Sequence, residues 1–111
     1  MSYTRKGFTG HERATAVTSN AVIYHGTTVV QQNMDGSFTL DTGGWSTYTT
    51  KRRMNQAAAH FGRGWRVFQK DFAWFLDFFA EDDNREPIPF DRSVTFFSPP
   101  VRWNGDAWVA A

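Results

Sequence analysis

The chain of 111 residues predicts an α+β fold: an antiparallel sheet of about five or six strands, built from hairpins, with one amphipathic helix over about residues 50–62 packed on it. Three observations carry this expectation. Asp35-Gly36 lies between two β-rich runs, a strong short-range hairpin signal. Met54, Ala57, Ala58 and Phe61 fall at i, i+3, i+4 and i+7, one apolar stripe down one helix face. The stretch from Trp65 to Phe79 is aromatic and β-branched, which suits strands better than a helix.

The elements follow in order. Residues 1–12 are polar and broken by Gly7 and Gly10, so a flexible arm is expected. NAVIYH (20–25) is a short β-branched run bounded by Gly26, and TTVVQQNM (27–34) continues as strand into Asp35-Gly36. SFTLDT (37–42) returns, with Phe38 and Leu40 on one face by the period of two. Gly43-Gly44 ends it. Thr49 or Thr50 is the expected N-cap of the helix, and Gly62 and Gly64 its stop. WRVFQ and FAWFLDF then pair around a turn at Lys70-Asp71, with a single helix as the rival reading. Residues 81–92 form an acidic loop, where Pro87 and Pro89 forbid regular pairing in a central strand. SVTFF (93–97) is a further strand, and Asn104-Gly105-Asp106 between Trp103 and Trp108 signals a last hairpin.

Composition bounds the function. One domain spanning 1–111 is expected, since a second would lack the mass for its own core. An aromatic content of 17% supplies a strong small core and argues against disorder. With no cysteine there is no disulfide framework and no thiolate zinc site. No run reaches the roughly 18 apolar residues of a membrane span, and MSYTRKGFTGHER lacks the apolar run of a signal peptide. A soluble, cytoplasmic protein is expected. The net charge of +1 divides unevenly: residues 1–70 carry +6 and residues 71–111 carry −5. Either the two halves neutralise each other in the fold, or a polar partner lies on one side.

Lys51, Arg52 and Arg53 open the predicted helix, at the end where the peptide dipoles already place about half a positive charge. The arrangement is tolerable if an anion sits there, held by free N–H groups, hydroxyls and cationic heads together. Ser46, Thr47, Thr49 and Thr50 are neutral donors of the kind that contact phosphate oxygens. Trp45 and Trp65 flank the segment. An exposed Trp beside cations stacks bases while the charges follow a single-strand backbone, although Trp65 reads more readily as core. The candidate nucleic-acid-binding set is Trp45, Thr49, Thr50, Lys51, Arg52, Arg53, Arg63 and Arg66. The bland alternative is a solvated helix face, or a trio paired with the acids near Glu81 to Asp83. A second functional reading is an inhibitor that binds a host protein through Phe78, Phe79 and Phe90 beside Glu81, Asp82 and Asp83, its acids mimicking nucleic acid. A homodimer through exposed strand edges is a third possibility.

His25-Gly26-Thr27 with Val29-Val30, then Gly43-Gly44-Trp45, Thr47, Thr49-Thr50-Lys51 and Arg53-Met54-Asn55, resembles a pattern found in small domains of bacteriophages and mobile elements. The resemblance covers roughly residues 20–80 and implies a phage or prophage accessory protein, with no particular activity attached. It leaves the acidic loop and the Trp-containing tail as this chain's own addition. Catalytic signals are weak. His11, His25 and His60 show no metal-ligand spacing, and no nucleophile elbow, Walker loop or dinucleotide fingerprint is present. Nothing in the sequence brings Ser46 or Thr47 to His25. A non-enzyme without cofactor or metal is expected.

Overall fold

The structure, a computed structural model, describes Gly7, Phe8, Glu12 and residues 14–111. Among the described residues it has one helix and ten strands: β1 (Thr15–Val17), β2 (Ala21–Tyr24), β3 (Thr27–Gln32), β4 (Phe38–Asp41), α1 (Tyr48–His60), β5 (Trp65–Lys70), β6 (Ala73–Phe78), β7 (Ile88–Phe90), β8 (Ser93–Phe96), β9 (Val101–Trp103) and β10 (Trp108–Ala110). The α+β class and the antiparallel pairing are as expected. The strands number more than expected, and they divide into a five-stranded sheet ordered β1-β2-β3-β4-β8, a three-stranded sheet β5-β6-β7 and the hairpin β9-β10.

Turn chemistry explains the first sheet. His25 (φ 50°) and Gly26 (φ 78°) both take the left-handed conformation, so β2 turns back on itself into β3. The Asp35 carboxylate accepts the Ser37 amide at 2.9 Å and its hydroxyl at 2.6 Å, closing the turn into β4. Pairing of Val30 with Leu40 and of Gln32 with Phe38 then buries Phe38 and Leu40 on one face. β8 adds to β4 from the far side of the chain, pairing Phe96 with Phe38.

α1 starts earlier than expected. Thr47 is the N-cap and its hydroxyl accepts the Thr50 amide at 3.2 Å. The stop is as predicted: Gly62 (φ 67°) is left-handed, the Arg63 amide reaches the Ala58 carbonyl at 2.8 Å and the Gly62 amide reaches Ala59 at 3.2 Å. The helix packs against β2, β3 and β5 and so joins the two larger sheets. Asn55 fixes it to β5 by donating to the Val67 carbonyl at 3.0 Å and accepting the Val67 amide at 2.7 Å, which also occupies that sheet edge. Between the layers Trp65 lies 4.8 Å from Phe38 and 5.4 Å from Phe96, and its indole N–H donates to the Met54 carbonyl at 2.9 Å. Trp65 is therefore core. Ring pairs of this kind add about 0.5–1.5 kcal/mol each to their area burial.

Three further differences have local causes. The β5–β6 turn sits at Asp71-Phe72, one residue beyond the expected place, with φ of 52° and 66°. Within the expected acidic loop, Ile88–Phe90 forms β7; Pro89 is accommodated because β7 pairs only with β6, at the sheet edge. The expected arm at 1–12 lies outside the described residues except Gly7, Phe8 and Glu12. Of these, Phe8 packs on the core and Glu12 pairs with Arg53.

Candidate nucleic-acid interface

The start of α1 divides the basic trio. Arg53 is 6% exposed and faces inward. Its Nε donates to Thr15 Oγ1 at 2.9 Å, its Nη1 to Gln56 Oε1 at 2.8 Å, and Glu12 Oε2 lies 3.3 Å from the same Nη1. The guanidinium also stands over the Tyr24 ring at 5.5 Å. Arg53 is thus a structural cation that ties α1 to the N-terminal segment, and its place in the predicted binding set is corrected on that ground. Lys51 and Arg52 remain outward. Neither has a carboxylate at ion-pair distance among the described residues; Lys51 Nζ lies 5.5 Å from the centre of the Tyr48 ring, and Arg52 is exposed. The first turn contains no acid. The trio does not pair with Glu81 to Asp83.

Beside this helix end lies a cavity of about 430 Å³, lined by Tyr24, His25, Thr27, Val29, Thr42, Trp45, Thr47 and Thr50. Each element delivers its residues for a local reason. Tyr24 ends β2 and His25 occupies the turn; Thr27 and Val29, two apart, share a face of β3. Gly43 (φ 63°) lets the 42–45 loop close on β3, because a Cβ there would stand 2.5 Å from Thr27 Cγ2. That loop is held by the Trp45 amide on the Thr42 carbonyl at 2.9 Å and the Gly43 amide on the Asp41 carboxylate at 2.7 Å. Its backbone is fixed while the Trp45 side chain stays free: Trp45 is 65% exposed. A shallower hollow of about 250 Å³ runs on beside the first helical turns, lined by Tyr48, Lys51, Arg52, Asn55 and Gln56.

The remaining predicted residues fall in different places. Thr49 is half-buried, while Thr50 is buried and shares a 3.1 Å hydroxyl contact with Thr47. Arg63 lies past the other end of α1, about 20 Å from the N-cap by the helical rise, over the Phe38 ring at 5.4 Å. Burial holds its guanidinium pKa below the ordinary value. Arg66 projects from β5 and pairs with Asp77 at 2.8 Å. Neither joins the patch. Of the residues for an inhibitory surface, Phe78 and Phe90 are core and cannot serve as exposed anchors. Phe79 packs edge-on to Trp108, with ring centres 6.2 Å apart. Asp82 accepts the Ala110 amide at 3.0 Å, and Asp83 pairs with Arg85 at 2.8 Å. Glu81 is exposed.

Sequence reasoning missed Tyr24, Val29 and Thr42 as site residues. It set aside the approach of His25 to Thr47, yet both line this cavity. The signal was present: the residues carrying the phage-type resemblance, from His25 and Thr27 to Trp45, Thr47 and Thr50, converge here. The Thr47 hydroxyl is committed to the helix cap, accepting the Thr50 amide at 3.2 Å and lying 3.1 Å from the Thr50 hydroxyl. Among the described residues no group of acids and histidines is placed to hold a metal, and no helix is long and apolar enough to cross a membrane.

No curated protein and no solved structure matches the chain. A family model does, over residues 4–97, so the match extends through the acidic loop and leaves residues 1–3 and the last hairpin region outside it. The chain belongs to the Kyanoviridae Gp96 protein family, and is a phage-type α+β protein.

Proposed function

We propose that this phage protein is a small non-enzymatic accessory protein that binds nucleic acid, single strands favoured, in the host cytoplasm. The observation that carries the reading is Trp45, 65% exposed on a fixed loop at a helix start that has no acid in its first turn. An exposed indole stacks on any base, while Lys51 and Arg52 follow the phosphates. The amides of Tyr48 and Thr49, with no partner among the described residues, add neutral donors. The interface is smaller than the sequence suggested, since Arg53, Arg63 and Arg66 contribute elsewhere. Binding is accordingly expected to be weak to moderate.

The test is fluorescence anisotropy with a labelled single strand and a duplex of equal length, over a salt series. The single strand should bind more tightly. Replacing Lys51 and Arg52 together by Ala should reduce the salt slope by about 1.4, at about 0.7 for each single-strand phosphate no longer neutralised. Absent binding at low salt, or a slope indifferent to the double replacement, overturns the reading. A protein retained from nuclease-treated host lysate, without oligonucleotide binding, would favour the inhibitor instead.

A further inference from the structure

We propose that the cavity beside Trp45 is the seat of one unstacked nucleobase. The inference rests on the nucleic-acid reading above and sharpens it, because it commits the site to a base and not to the backbone alone. At about 430 Å³ the cavity falls in the range of roughly 300–1,000 Å³ typical of small-ligand sites. Three aromatic rings stand in its walls: Trp45 on the 42–45 loop, and Tyr24 at the end of β2 with His25 in the turn after it, ring centres 4.4 Å apart. A flat heteroaromatic ring is the ligand shape that such walls stack against.

The polar lining asks for acceptors. Thr42 is 1% exposed, and its oxygen accepts the Gly44 amide at 3.2 Å. Its hydroxyl hydrogen is not given to any acceptor among the described residues, so on the cavity wall it is open to a ligand acceptor. The Thr27 hydroxyl has no partner among the described residues either. The carbonyl oxygens and ring nitrogens of a base edge answer both. Among the described residues no carboxylate lines the cavity. The sugar and phosphate then leave toward the open amides of Tyr48 and Thr49, with Lys51 and Arg52 in the adjoining hollow. A base held in a duplex cannot enter, which makes the cavity itself a source of single-strand preference. A free nucleotide offers the same chemistry.

The experiment compares three probes on the intact chain: a thymidine 12-mer, an abasic 12-mer with the same phosphate backbone, and thymidine monophosphate. The base-bearing strand should bind on the order of tenfold or more tightly than the abasic one. Thr42→Val and Thr27→Val should erase that difference while leaving the salt slope unchanged. In case those variants fold poorly, amide chemical shifts of the unmodified protein give a second readout, with the largest ligand-induced changes expected at Thr27, Thr42 and the Trp45 indole. Equal binding of both strands overturns the base site and leaves the nucleic-acid reading standing. Binding of the mononucleotide alone supports the base site and overturns the polymer reading. No binding by any probe overturns both.

Discussion

The loop around Asp82 and the start of α1 are both charged, and they handle their charges in opposite ways. In the loop, Asp82 takes the Ala110 amide and Asp83 takes the guanidinium of Arg85, which also covers the Phe78 ring at 3.4 Å and donates to the Phe97 carbonyl at 2.7 Å. These two acids are matched internally, and Asp82 pins the C-terminal hairpin. At the helix start one cation of three is matched internally, and the rest of the donor set, ammonium, guanidinium, amide and hydroxyl, is left facing solvent or a cavity. What separates them is whether complementary groups lie within reach, and only the helix start keeps donors available for a ligand.

The contrast between matched and available groups can be tested residue against residue. The largest effect is expected for the two tryptophans beside α1. Trp65→Ala removes a ring that is 1% exposed and should cost about 3–5 kcal/mol in urea unfolding. Trp45→Ala should stay within about 0.5 kcal/mol while losing oligonucleotide affinity. Equal costs would place Trp45 in the core. Next come the arginines. Arg53→Ala removes the guanidinium from Glu12, Gln56 and Thr15 and should cost about 2–3 kcal/mol, toward the low side for a buried pair because Glu12 is 17% exposed and keeps the Gln56 amide as a donor at 3.1 Å. Arg52→Ala should leave the melting curve nearly unchanged. A small cost for Arg53→Ala would return it to the surface set.

A smaller effect, of opposite sign, is expected at the β5–β6 turn. Phe72 is 94% exposed at a φ of 66°, a conformation a bulky side chain adopts only under strain. Phe72→Gly, with Asp71→Asn, should stabilise the hairpin by about 0.5–1 kcal/mol, read as a rise in melting temperature. The smallest effect lies in acid. The Ser37 hydroxyl and amide hold the Asp35 carboxyl below its ordinary 3.8, and Arg85 does the same for Asp83. A pKa depressed by folding contributes stability that is complete above the unfolded value and lost as pH falls through the folded one. Stability should therefore decline below about pH 4. Asp83→Asn should flatten that decline, while a profile unchanged by the substitution would remove Asp83 from the matched set.

Much of the fold was legible because its signals are local. Asp35-Gly36, the Met54–Phe61 stripe, the Gly62 stop and the Asn104-Gly105 hairpin each depend on a few consecutive residues. The two unexpected strands are only three residues each and carry little local signal: β1 buries little of its surface and is held by pairing with β2, and β7 tolerates Pro89 because it is an edge. The site was half legible. Trp45, Lys51 and Arg52 were found from charge and ring type. Tyr24, Val29 and Thr42 were missed because they face the helix start only after β2, β3 and the 42–45 loop fold against it.

The order of residues alone thus determined element types, the turns between most of them, and the presence of a cation-rich helix start without acids. The assembled fold decided which cation is buried, which tryptophan is core, and that a cavity exists at all. Periodicity and turn conformation are properties of neighbours in the chain. Exposure is a property of neighbours in space, and for Arg53 those are Glu12 and Thr15, respectively 41 and 38 residues away in sequence.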